Sequence, residues 1–282
     1  MGYLLLVINT FAGLAEGIFI KKYNTKHPHG GFVFTAIVSL FAAVFSAVTD
    51  KGGFRIEPNL LPYAIVAGLL YCIASILTYF ALAIGSFAMS MLVLSYSIVF
   101  SIGYGVIFLH EPVSVFSAIG FGLLAVSLFL TRRKSVGGTF SVKWLVYIVL
   151  SVVGSGMFGV ITRMQQIRFN DAYNNECITI ALGLSAVILF VAGIFTDGKF
   201  MKEIVRYGTP YAVGAGVING FRNILSLVIC TFLPISISSA MGSGLKIVIS
   251  FVISYFLFKE TFLKRQIVGV VVGAAALVLL NL

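Results

Sequence analysis

The chain has 282 residues, of which 60% are hydrophobic and only 10% are charged, and its formal net charge is +10. Ordinary soluble domains are about a quarter charged, so this composition excludes a soluble enzyme domain and predicts a polytopic membrane protein. The basic residues are scattered over short connections and do not form the single basic face that nucleic acid would require. We therefore expect no nucleic-acid partner.

Apolar runs of roughly 18 to 24 residues recur along the whole chain, and each is long enough to cross a hydrocarbon core of about 30 Å as a helix. These runs predict an all-α membrane protein with ten transmembrane helices, here called spans 1 to 10. The predicted spans are 3–20, 31–49, 60–84, 87–109, 113–131, 142–162, 175–196, 210–232, 235–258 and 261–281.

The basic residues of the connections predict the orientation. Odd-numbered connections carry most of them, whereas even-numbered connections carry only Lys51, Arg55, Arg163 and Arg168. By the positive-inside rule, the odd connections are expected to be cytoplasmic and both chain ends external. We expect a multi-pass protein of the plasma membrane, that is, the cytoplasmic membrane of a bacterial cell.

The sequence is weakly repeated. An offset of 149 aligns 98–126 with 247–275, so that Glu111 falls on Glu260 and Ser97 on Lys246. An offset of 142 aligns 17–21 with 159–163. The chain is thus predicted to consist of two units, 1–134 and 135–282, with five spans each. Because five is odd, the second unit enters the membrane inverted, which is typical of transporters with a substrate site near the bilayer midplane.

The sequence resembles the drug/metabolite transporter superfamily, in its EamA-like branch of ten-helix transporters. The resemblance rests on the length, the repeat and the segments "FLHEP" (108–112) and "FLFKE" (256–260), although His110 and Lys259 stand where that family usually has Gly. It implies two five-helix repeats and metabolite transport. In addition, "AGLAEGIFIKK" (12–22) resembles helix 1 of the small multidrug exporters, which implies a proton or cation site at Glu16. The segment "GSGLKIVIS" (242–250) resembles organic-phosphate and nucleotide-sugar carriers, which implies anion binding by Lys246.

Three ionisable residues lie well inside predicted spans: Glu16, Arg222 and Lys246. Lys246 is too far from either end of span 9 for its side chain to reach the interface. A charge at the bilayer centre costs about 2.5–3.5 kcal/mol on insertion scales, so these side chains are expected to face an interior cavity or one another.

Polar residues at helical spacing extend this prediction to five spans. Span 9 carries Ser239, Ser243, Lys246, Ser250 and Ser254; span 8 carries Asn219, Arg222, Asn223 and Ser226; span 3 carries Tyr71, Ser75, Thr78 and Tyr79; span 4 carries Ser90, Ser97, Ser101 and Tyr104; and span 1 carries Asn9, Gly13 and Glu16. Spans 1, 3, 4, 6, 8 and 9 are expected around the cavity, with spans 5 and 10 outside. The candidate substrate-binding residues are Glu16, Arg222, Lys246, Asn219, Asn223, Ser243, Ser97 and Tyr79.

Glu16, Arg222 and Lys246 sum to one positive charge when all are ionised, which predicts an anionic or zwitterionic substrate between Arg222 and Lys246. We expect a secondary transporter working by alternating access as an exporter or exchanger, monomeric or homodimeric in the lipid, with protons as candidate coupling ions. Two alternatives stay open: a proton-coupled exporter of organic cations through Glu16, and a Glu16 that is only a structural counter-ion.

An enzyme is not expected, because the three histidines lie at loops or span edges and none is within a helix to activate Ser243. No cofactor and no metal are expected either. Cys72, Cys177 and Cys230 lack the paired spacing of a disulfide or metal site.

Overall fold

The computed structural model describes residues 2–27, 29–49, 55, 57–108, 115–131, 142–170, 172–232, 235–260 and 262–279. Within these residues every regular element is a helix. The principal helices are α1 (Gly2–Lys26), α2 (Gly31–Thr49), α3 (Leu61–Ile84), α4 (Phe87–Ser95), α5 (Ile98–Phe108), α6 (Val115–Thr131), α7 (Val142–Arg168), α8 (Asn174–Thr196), the short α9 (Met201–Glu203), α10 (Thr209–Phe232), α11 (Ile235–Phe258) and α12 (Lys264–Leu279).

Five stretches of the described chain are long and apolar enough to span a bilayer. They are α1, α2, Pro58–Ile84, α7 and α8, and a shorter apolar stretch covers Gly244–Phe258. Their outward surfaces carry large hydrophobic side chains, among them Phe195, which is 84% exposed. An all-helical chain with such helices fits a membrane protein, because lipid solvates these side chains and the helix satisfies its own backbone polar groups.

The prediction of one continuous helix over 87–109 is wrong, because α4 ends at Ser95 and α5 begins at Ile98. At this break the Tyr96 and Ser97 amides donate to carbonyls three residues back, at 3.0 and 3.2 Å, which is tighter than an α-helical turn. The Tyr96 hydroxyl forms a 2.6 Å hydrogen bond with the Ser127 hydroxyl of α6. Neither Gly nor Pro lies at the break, so the sequence gives no local signal for it.

The helices pack in a small number of close pairs. α2 packs against α8 and α10, α3 against α7 and α8, α1 against α10 and α11, and α6 against α12. Glycine permits two of these contacts. A Cβ at Gly68 would lie 2.8 Å from the Ala181 carbonyl oxygen, and one at Gly216 would lie 2.6 Å from the Val38 carbonyl oxygen. Small residues thus let the helix backbones approach closely, as in other membrane bundles.

A charged cluster holds the connection between α3 and α4. The Lys21 ammonium donates to the carbonyl oxygens of Leu82 and Gly85, at 2.7 and 2.6 Å, at the end of α3. The Glu260 carboxylate accepts from the Phe87 amide at 2.8 Å and from the Ser254 hydroxyl. The Glu260 carboxylate is thus held at the start of α4, far from it in sequence. Its repeat partner Glu111 lies outside the described residues.

An aromatic cluster packs between α1, α2 and α3. Tyr23, Phe34 and Tyr79 are each at most 1% exposed. The Tyr23 and Phe34 rings stack with centroids 4.5 Å apart, and Phe34 and Tyr79 follow at 5.5 Å. Asp197, just after α8, accepts from the Phe32 and Val33 amides and so fixes the start of α2 that carries Phe34.

Candidate functional site

A cavity of about 250 Å³ lies between α1, α2, α3, α7 and α10. Phe34 and Tyr79 of the aromatic cluster form part of its wall, so the cluster borders the cavity. Polar and aromatic side chains make up most of the lining. The lining residues are Glu16, Ile20, Phe34, Thr35, Val38, Tyr71, Ala74, Ser75, Thr78, Tyr79, Ser155, Phe158, Asn219, Arg222 and Asn223.

The cavity wall contains an ion pair between α1 and α10. Arg222 Nη1 lies 2.5 Å from Glu16 Oε2, and the Asn219 amide donates to Glu16 Oε1 at 2.8 Å. Asn223 in turn donates to the Asn219 side-chain oxygen at 3.4 Å. The Glu16 side chain is 14% exposed and the Arg222 side chain 31%. Both carboxylate oxygens of Glu16 are therefore engaged by donors from α10.

Gly13 makes room for the guanidinium group. A Cβ at this position would lie 2.9 Å from Arg222 Nε and 3.0 Å from Arg222 Cζ, closer than non-bonded carbon atoms normally approach. Gly13 is one turn before Glu16 on α1, so both residues lie on the face that meets α10. The side chain of Arg222 can rest across α1 only because this position carries no side chain.

Lys246 lies on α11, which packs against α1, the helix that carries Glu16. It is partly buried but is not one of the residues that line the cavity. Among the described residues its ammonium group has no hydrogen-bond or ion-pair partner. Lys246 therefore adds positive charge beside the Glu16–Arg222 pair without being neutralised by a described carboxylate of its own.

Two polar atoms of the cavity wall have no partner among the described residues. They are the hydroxyl of Tyr79 and Nε of Arg222, and both are buried from solvent. Other polar groups of the wall are engaged: Thr78 forms a 2.6 Å hydrogen bond with Ser151, and the Ser75 hydroxyl donates to the Cys72 carbonyl. Arg222 Nε lies against Gly13, and both atoms are candidate partners for a ligand or water that enters the cavity.

Of the eight predicted site residues, the structure brings five together in the cavity wall: Glu16, Tyr79, Asn219, Arg222 and Asn223. Whether they bind a substrate stays a prediction. Lys246 lies on α11 and is not a lining residue, and Ser97 lies at the break between α4 and α5, outside the wall. The side chain of Ser243 lies outside the described part of the structure.

The described serines of the predicted span 9 stripe, Ser250 and Ser254, do not line this wall. Ser250 and Ser254 are fully buried. The Ser250 hydroxyl donates to the Ile247 carbonyl of its own helix at 2.7 Å, and Ser254 binds Glu260. Serine in an apolar helix often satisfies itself in this way, which periodicity cannot distinguish from cavity lining.

The sequence predicted α2 as a helix but did not place it among the helices that line the cavity. Phe34, Thr35 and Val38 line the cavity, and α2 lies between α8 and α10. A signal was present, because Gly31, Thr35 and Ser39 recur every four residues and form a small and polar stripe along one face. Since Thr35 donates to the Gly31 carbonyl at 2.7 Å, the stripe resembles ordinary helix packing.

Within the described residues, no group of three or more His, Cys, Asp or Glu side chains could hold a metal ion. The side chains of Cys72 and Cys177 are buried free thiols.

No family model matches the sequence, and no curated protein matches it. A solved structure titled only "Crystal structure of protein" has the same fold, with a TM-score of 0.64 at 12% sequence identity. The match covers 96% of this chain and 94% of the other chain. At this identity the likeness concerns the fold alone.

Proposed function

We propose that the protein is a secondary active transporter of a small anionic or zwitterionic metabolite, with ten transmembrane helices in two inverted repeats, as in the EamA-like transporters that its sequence resembles. The observation that carries the proposal is the cavity wall that holds the Glu16–Arg222 pair, with Lys246 adding an excess positive charge beside it. An uncompensated cation at membrane depth is unfavourable, and a bound anion would neutralise it.

The helix contacts support the two-repeat part of the proposal. If α1, α2, α3, α4 with α5, and α6 correspond to α7, α8, α10, α11 and α12, the exchange of units turns the α3–α7 contact into the α10–α1 contact. It likewise turns α2–α10 into α8–α3. Gly68 against α8 and Gly216 against α2 are such a related pair of close approaches. Exchange-related contacts are expected for two similar units around a pseudo-two-fold axis.

The size of the cavity favours a small metabolite over a bulky drug. Pockets for drug-sized ligands measure about 300–1,000 Å³, and this cavity, at about 250 Å³, is smaller. The competing hypothesis is a proton-coupled exporter of organic cations through Glu16. The engagement of both Glu16 oxygens by Arg222 and Asn219 argues against it, because a cation would have to displace these donors.

Two variants in proteoliposomes separate these hypotheses, with labelled lactate, alanine, glycerol 3-phosphate and tetramethylammonium as probes. Lys246→Met keeps most of the side-chain length and removes the charge, so it should insert and fold normally yet lose uptake of the anionic or zwitterionic probes. Glu16→Gln leaves Arg222 without its counter-charge and should lower stability, but it keeps the positive groups that hold an anion, so uptake of the anionic probes should persist. A cation exporter predicts the reverse ranking, with Glu16→Gln inactive and Lys246→Met nearly silent. Retained anion uptake by Lys246→Met would overturn the proposal.

A further inference from the structure

Among the described lining residues, the cavity offers no free carboxylate for an ammonium group. Glu16 is the only carboxylate among the described lining residues, and its two oxygens accept from Arg222 and Asn219. An ammonium that took Glu16 would leave the Arg222 guanidinium without its counter-charge in a partly buried position. Breaking a buried ion pair by removing one partner is costly. The Glu16 carboxylate, which would accept from the ammonium group of a zwitterion or a cation, is therefore already occupied.

The two buried polar atoms of the wall that have no described partner can both donate a hydrogen bond. Arg222 Nε can only donate, and the Tyr79 hydroxyl can donate or accept; neither has a partner among the described residues. Lys246 adds a second positive charge on α11, the helix that packs against α1. A ligand that completes this site must bring acceptor oxygens and one negative charge.

The rest of the described wall carries no charge: it includes the apolar Ile20, Phe34, Val38 and Phe158 and the hydroxyl groups of Thr35, Tyr71, Ser75, Thr78 and Ser155. It can accept the carbon skeleton of a small organic acid but offers no further charge. From the occupied acceptor and the free donors together, we infer that the site takes a small organic monoanion whose second polar group is an oxygen, that is, a hydroxy- or oxo-carboxylate, and that it discriminates against the corresponding amino acid. This inference rests on the proposed function and narrows its substrate class.

Matched pairs of probes test the inference directly, because each pair shares a skeleton and differs only in the group beside the carboxylate. The pairs are lactate and alanine, glycerate and serine, and phenyllactate and phenylalanine, with phenethylamine as a cationic probe. Binding to the purified full-length protein is measured by thermal stabilisation and by calorimetry. We expect at least one hydroxy acid to bind about tenfold or more tightly than its amino acid, and the amine not to bind.

Tyr79→Phe tests the hydroxyl separately. Because this hydroxyl is buried and has no described partner, its removal should leave the unliganded protein at least as stable as before. Affinity for the hydroxy acid should fall roughly fivefold, which is the value of one ordinary hydrogen bond. The matched control is Tyr96→Phe. Its hydroxyl bonds Ser127 outside the cavity, so this variant should lose stability and keep the preference for the hydroxy acid.

The outcomes separate this inference from the function on which it rests. If amino acids bind as tightly as their hydroxy acids or more tightly, the substrate inference is overturned while transport of a zwitterion stands. If only phenethylamine binds, both are overturned. If no probe binds, or if Tyr79→Phe leaves the affinity for the hydroxy acid unchanged while Tyr96→Phe abolishes it, the inference also fails.

Discussion

At the scale of single residues, the position of the Arg222 guanidinium depends on the absence of a side chain at Gly13. Helical glycine is otherwise a poor choice, since alanine favours a helix by roughly 1 kcal/mol. The close approach of Nε and Cζ to this position explains why the chain keeps glycine here. Gly13 is thus a positioning residue for the site.

Gly13→Ala should move the guanidinium away from Glu16 and lower the affinity for the tightest hydroxy-acid probe roughly tenfold, because small displacements of a binding group are costly. Calorimetry on purified protein measures the change. Gly242→Ala on α11 is the matched control, since the nearest described atom to its Cβ would be the Thr10 hydroxyl at 4.0 Å. Equal affinities in Gly13→Ala and Gly242→Ala would contradict the positioning role.

The sequence predicted which charged residues would meet, but not how. Because a charge in lipid is costly, we predicted that Glu16 and Arg222 would face the interior of the bundle. In the structure the two form an ion pair in the cavity wall. The same argument could not show that both Glu16 oxygens are occupied or that Lys246 is not a lining residue. Those details depend on how each helix is rotated about its axis and on the space at Gly13. The periodic patterns of the sequence indicate neither.

At the scale of helices, hydropathy located the apolar segments well and failed where a helix changes course through tertiary contacts. At the break, the Tyr96 hydroxyl forms a hydrogen bond with Ser127 of α6, which is 31 residues away. The role of α2 depends on its neighbours α8 and α10. Both features come from packing between helices, whereas hydropathy windows and stripes describe one helix at a time.

The connection between α3 and α4 offers a prediction at this scale. Lys21 donates two short hydrogen bonds to carbonyls at the end of α3, where a positive charge is favoured. Lys21→Met should lower the free energy of unfolding by about 2 kcal/mol, because hydrogen bonds of charged groups contribute about 1.5–3 kcal/mol. Thermal unfolding in detergent provides the measurement, and the exposed neighbour Lys22→Met should unfold like the unmodified protein. Identical unfolding of Lys21→Met and Lys22→Met would contradict this role.

At the scale of the whole molecule, the orientation rests on the distribution of basic residues between odd and even connections. Two exposed positions test it: Asn59, before α3, and Lys202, in α9. A cysteine at Asn59 should react with a membrane-impermeant maleimide added to intact cells. A cysteine at Lys202 should react only after the membrane is permeabilised. The reverse pattern would invert the orientation.

The central claim is that this cavity carries a small anion across the membrane by alternating access. Counterflow in proteoliposomes tests it most directly, with labelled lactate, glycerate and phenyllactate offered outside to vesicles preloaded with the same unlabelled acid. A carrier predicts transient, saturable accumulation of label in preloaded vesicles, above that in empty ones, and its loss in Lys246→Met. Entry of label that is linear with concentration and indifferent to preloading, or no entry of any of the three acids, would contradict the account.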